Sequence, residues 1–164
     1  MTFGSQWRAV QCEAQLAAEQ IAHGVTVLGR ANHVQLGLYL QAFFGLSIGL
    51  ERLGKLIFIV DHAIKSEGEF PTDQDLRGFG HDLASLLPKG EEIGACLDPN
   101  LDYIVRPNDP IHQGIKDVLS LFAMRLRYYN LNYLTGSSQG QQDPVELKDA
   151  GSSLDGLLPK SSHH

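Results

Sequence analysis

Residues 35–66, QLGLYLQAFFGLSIGLERLGKLIFIVDHAIKS, form the longest apolar-rich run in the chain and constrain its fold more than any other stretch. Leu36, Leu40, Phe43, Leu50, Leu53, Ile57, Val60 and Ile64 recur at the steps of one helical face, not at the alternation of a strand. Gly45, Gly49 and Gly54 lie four and five residues apart, a spacing that lets neighbouring backbones come close. Glu51 and Lys55 stand four apart in the favoured acid-before-base order. A helix apolar over most of its circumference, with one charged notch, is expected at the centre of a bundle. That notch is the first place to look for function.

At 164 residues the chain is long enough for one domain with a real core. A net charge of −6 argues against a strongly basic nucleic-acid wrapper, while leaving room for a local basic patch. Cys12 and Cys96 are too few for a disulfide framework or a thiolate metal cage, and no secretory signal opens the chain, so a cytoplasmic setting is expected. Residues 31–50 lack Asp, Glu, Lys and Arg and are long enough to span a bilayer. Asn32, His33, Gln35 and Gln41 lie inside that run, however, and Glu51, Arg52 and Lys55 follow at once. Charges at membrane depth cost a few kcal/mol each, so a buried helix of a bundle is the expectation, with no membrane span.

Taken in order, Ser5 is a candidate N-cap for a first helix whose apolar stripe is Trp7, Val10, Ala14, Ala17, Ile21, Val25 and Leu28. Residues 30–33 read as a bend, and the central helix should run from about Gln35 to Ser66, where Gly68 and Pro71 end it. Thr72 and Asp75 resemble a capping pair for a third helix, interrupted by Gly78 and Gly80, resumed from His81 and stopped by Pro88. Residues 89–108 read as a loop, with a possible helical turn at 91–96. Asp109-Pro110 is an N-cap with proline at the first helical position, opening a last main helix with Ile115, Val118, Leu119, Phe122, Leu126, Tyr129 and Tyr133 on one stripe. The glycine- and serine-rich residues 137–164 read as a polar, flexible tail. The expected fold is all-α, an up-and-down four- to five-helix bundle at residues 1–136 with one long central helix.

Four polar groups are candidates for chemistry. Glu51, Lys55 and His62 share a strip of the central helix; they serve either as a structural tie to Arg125 or Arg127 or as the lining of a site. His81-Asp82, at a helix restart, is either a general acid–base pair or a helix cap. Arg125, Arg127, Tyr128, Asn130 and Asn132 make the densest polar and aromatic cluster, and these residue types suit phosphate, ribose and base contacts in RNA. Arg106 and His112 flank a helix start, with two prolines between them. No phosphate-binding loop, dinucleotide fingerprint, nucleophile elbow, zinc-protease motif or pair of di-iron motifs is present in the sequence, and no metal or other cofactor is expected.

With Gly-Leu-Glu51-Arg-Leu-Gly-Lys55, Gly-His81-Asp82-Leu and Arg127-Tyr-Tyr-Asn130-Leu on successive helices, residues 10–135 resemble the HEPN superfamily, in particular its AbiV-like and uncharacterised bacterial branches. The resemblance implies a small helical bundle, often a homodimer, that binds RNA or a nucleotide, with or without catalysis. It equally implies a metal-independent ribonuclease of a toxin–antitoxin or phage-defence system, for which an antitoxin or other protein partner is expected. The family's catalytic signature is an arginine followed after a few residues by a histidine. The last helix departs from it, with Asn132 where the histidine after Arg127 would fall, whereas Arg106 and His112 have the spacing but proline after the arginine. In such a site the arginine would stabilise charge on the phosphate and the histidine would move the proton of the attacking 2′-hydroxyl. A third reading, a protein-interaction module with no nucleic-acid role, makes Glu51 and the arginines purely structural.

Overall fold

A computed structural model of the chain describes residues 4–32, 34–97 and 109–124. Helix α1 spans Ser5–Leu28, α2 Leu36–Lys65, α3 Asp73–Arg77, α4 Leu83–Leu97 and α5 Pro110–Met124. The chain folds as an all-α bundle around the long α2, and no strand occurs among the described residues. No described helix is long and apolar enough to cross a membrane.

Helices α1 and α2 form an antiparallel hairpin in which glycines let the two backbones come close. A Cβ added to Gly24 would lie 2.7 Å from Leu46 Cγ and 2.8 Å from Leu46 N. One added to Gly49 would lie 2.7 Å from Ile21 Cγ1 and 3.0 Å from Ile21 N. At Gly45 the neighbours are the Gln20 carbonyl and the Gly24 backbone. Gly45 and Gly49 thus bring the backbones close as their spacing suggested, with Ala17 and Ala42 completing the seam, whereas Gly54 packs on the Leu86 side chain of α4. Between the helices, the Asn32 carboxamide oxygen accepts from Val34 N and Gln35 N and turns the chain into α2. At the far end of α2, Gly68 N donates to the Ala63 carbonyl across a left-handed Glu67, which closes the helix.

So close an approach redistributes the expected core. Leu36, Leu40, Leu53 and Ile64 are exposed, as is Val25, whereas Val27, Leu46 and Leu56 are buried with the small residues. The buried arc of α2 is chosen by how near its neighbours come, and large side chains are displaced to the flanks of a glycine seam. Phe43 and Leu46 of α2 join Leu83, Leu86, Leu119 and Phe122 in the main core, and Ile21 and Leu28 of α1 pack against it. Phe122 meets Phe44 edge-on at 5.0 Å and Phe43 at 5.7 Å. Full burial of a side chain of this size stabilises the fold by roughly 1.5–3 kcal/mol.

The connection from α2 to α4 runs back along α2 before α4 begins. Phe79 packs on Phe58 with tilted rings at 4.5 Å, and Phe70 meets Trp7 at 5.4 Å. Helix α4 then follows α2 in the same direction, as Gly54 against Leu86 and Gly90 against Ile57 show. Thr72 and Asp75 form the expected capping box of α3, which is a separate short helix. Three boundaries differ from expectation. Gly4, not Ser5, occupies the N-cap of α1. Pro88 does not stop a helix but lies inside α4, and residues 89–97 are helix instead of loop. Both Pro88 and Ala84, whose carbonyl loses its helical donor, are exposed, so water replaces the missing bond. The start of α5 is as expected, with Asp109 Oδ1 accepting from Ile111 N and His112 N ahead of Pro110. Leu126, Tyr129, Tyr133 and the 137–164 tail lie outside the described residues.

Two substitutions separate the roles of glycine in α1 and α2. Gly24→Ala should lower stability in urea unfolding by roughly 1–3 kcal/mol through overpacking, despite alanine's better helix propensity. Gly37→Ala, with nothing near its added Cβ, should instead raise stability by up to about 1 kcal/mol. In the core, the Ser120 hydroxyl is buried without a partner, so Ser120→Ala should be neutral or stabilising by about 1 kcal/mol in the same measurement.

Candidate functional site

Two of the sequence candidates converge. Glu51 Oε1 accepts from Lys55 Nζ at 2.8 Å along α2, and from His81 Nδ1 at 2.9 Å across to the segment that precedes α4. The Glu51 side chain is only 14% exposed, whereas His81 is largely open to solvent. Burial alone would raise the Glu51 pKa, but the hydrogen bonds and charges of Lys55 and His81 outweigh it and hold the carboxyl below its usual value. An ionised carboxylate only accepts, so His81 presents its Nδ1–H and retains Nε2 for other partners. Asp82 caps α4 through Ala84 N and holds the Ser85 hydroxyl. His81 and Asp82 therefore divide the work of joining α4 to α2. His62, the third member of the strip, lies beside the Phe58 ring.

A second pair sits at the start of α5. His112 Nδ1 donates to Asp109 Oδ2 at 2.6 Å, while the other oxygen of the same carboxylate caps the helix. The backbone N–H of His112 is the main cause of a lowered Asp109 pKa, aided by the imidazole, against a smaller opposing effect of desolvation. Asp109 thus fixes the tautomer and orientation of a half-exposed imidazole and leaves Nε2 available for proton transfer. Arg106, Arg125, Arg127, Tyr128, Asn130 and Asn132 lie outside the described residues. Among the described residues, no group of three or more His, Cys, Asp or Glu is placed to hold a metal ion.

Sequence reasoning missed a cleft of about 250 Å³ between α2 and α4. Phe58, Phe79, Leu86 and Ile93 wall it, and Asp61, Lys65, Lys89, Glu92 and Cys96 add polar groups. Asp61 is buried at 8% exposure and accepts from Lys65 Nζ at 2.8 Å, which raises the lysine's pKa. Lys89 Nζ lies 4.6 Å from the centre of the Phe79 ring. Asp61 and Lys65 carry the same four-residue spacing that drew attention to Glu51 and Lys55, and that was the available signal. The rest of the cleft depends on α4 continuing past Pro88.

Comparison with protein-family models, curated proteins and solved structures finds no match to the chain.

The Glu51 junction predicts a pH dependence. A carboxyl whose folded pKa lies below its ordinary value of 4.5 contributes stability that is complete above that value and is lost as pH falls through the folded pKa. Glu51→Gln should therefore flatten the acid limb of a stability–pH profile followed by circular dichroism. At neutral pH it should cost roughly 1–3 kcal/mol, as expected for hydrogen bonds to a charged group. His81→Ala should cost less, because its ring is mostly solvated.

Proposed function

We propose that this chain is a HEPN-like, cytoplasmic RNA- or nucleotide-binding domain that acts as a homodimer. The observation that supports this reading most directly is the ordered Asp109–His112 pair at the start of α5. The same helix is anchored by buried Leu119, Phe122 and Ala123, directly before Arg125, Arg127, Tyr128 and Asn130 in the sequence. Arginine, tyrosine and asparagine are the residue types that engage phosphate and unstacked bases. On this reading Glu51, Lys55 and His81 are positioning residues that secure α4 against α2.

The Asp109–His112 geometry also favours a second reading, ribonuclease activity. A carboxylate that holds Nδ1–H leaves Nε2 to take the 2′-hydroxyl proton as that oxygen attacks the adjacent phosphorus; the P–O5′ bond breaks, the 5′-oxygen takes a proton from water and leaves as a hydroxyl, and a 2′,3′-cyclic phosphate end remains. Arg106, close in sequence, would supply charge to the phosphate.

Single-stranded RNA should bind with an affinity that falls as salt rises, measured by fluorescence anisotropy. Substituting Arg125 and Arg127 together by Ala should reduce the slope of log K against log salt by about 1–2. Salt-independent or absent binding at low ionic strength would leave the interaction-module reading. If the domain cleaves RNA, His112→Ala should lower the rate by roughly 10²–10⁴-fold. Asp109→Asn, which keeps a capping oxygen, should lower that rate while leaving the thermal midpoint nearly unchanged. Cleavage unaffected by His112→Ala would remove this site from the reaction.

A further inference from the structure

We propose that the cleft between α2 and α4 is a binding site for a small primary amine carrying a single aromatic or compact apolar group. The proposal stands apart from the RNA reading, since it uses none of the residues invoked there. Its size is the first argument. At about 250 Å³ the cleft falls just below the usual range of ligand pockets, roughly 300–1,000 Å³, and suits one ring instead of a drug-sized molecule.

Charge is the second argument. The most deeply buried charge in the cleft is negative, the carboxylate of Asp61, fixed by a short side chain on the rigid α2. Both positive groups are long and reach in from solvent. Lys65 is 66% exposed, yet its ammonium rests on Asp61 within electrostatic reach of Glu92 and Cys96. Lys89 places its own ammonium over the face of Phe79. The cleft therefore already holds two ammonium groups, one on a carboxylate and one on an aromatic ring, which are the two contacts that recognise an amine. Phe58, Leu86 and Ile93 supply the apolar wall for its body. A ligand amine would take the place of the Lys65 ammonium on Asp61 as Lys65 swings into water, and its ring would lie against the apolar wall.

Cys96 lines this cleft, whereas Cys12 lies on α1 and does not, and both are exposed. Alkylation of the two thiols, followed by mass spectrometry, therefore reports occupancy in the unmodified chain. Phenethylamine should slow alkylation at Cys96 and leave Cys12 unchanged, while phenylacetate, its anionic counterpart, should protect neither. Asp61→Asn should raise the phenethylamine concentration needed for protection by at least about tenfold, the effect of removing one charge-assisted hydrogen bond. Equal protection by phenylacetate, no protection by the amine, or protection unchanged in a folded Asp61→Asn protein would overturn the proposal. If that variant fails to fold by circular dichroism, the comparison of the two probes on the unmodified chain decides alone.

Discussion

The contact on which the rest of the structure depends is the approach of α1 to α2 across Gly24, Gly45 and Gly49. Added Cβ atoms at Gly24 and Gly49 would fall within 3 Å of neighbouring atoms, so the two backbones sit nearly against each other. Close packing of this kind replaces large side chains by many short van der Waals contacts, each small and together considerable. Phe43, Leu46, Leu83, Leu86, Leu119 and Phe122 form one core, against which Ile21 and Leu28 of α1 also pack.

The chain must then return along α2 before α4 can pack on it, and polar contacts hold that return in register. The capping box at Thr72, the Glu51–His81 bond and the Asp82 cap follow one another along the path, beside the tilted Phe58–Phe79 ring pair. Glu51 is mostly buried, so its charge requires partners, and Lys55 from the same helix and His81 from the returning segment supply them. The charged notch of the central helix is accordingly a junction that positions α4. The α2–α4 cleft exists because of that placement.

Much of the architecture was legible in the sequence because its signals are local. The long helical period of 36–65, the Thr72–Asp75 box, the Asp109-Pro110 start and the close glycine spacing each depend on residues within a few positions of one another. Pro88 misled because its effect depends on context. A proline near the start of a capped helix, on an exposed face, removes one hydrogen bond that water replaces. The apolar stripe of α2 misled for a related reason: periodicity identifies a helix but does not rank glycine above leucine as a buried residue. Of the candidate site residues, the Glu51–Lys55 pair was local and readable, while its bond to His81 joins residues thirty positions apart.

By itself the sequence determined α1, α2, the start of α5, most of the caps and the small-residue seam, since helix periodicity, capping and steric bulk are properties of neighbouring residues. Tertiary structure alone decided which arc of α2 is buried, that α4 runs beside it in the same direction, that His81 reaches Glu51, and that Asp61 faces an aromatic cleft. Those outcomes depend on how nearly two helices approach and where a returning segment is anchored. Both are set by packing between residues far apart in the chain, which no local pattern records.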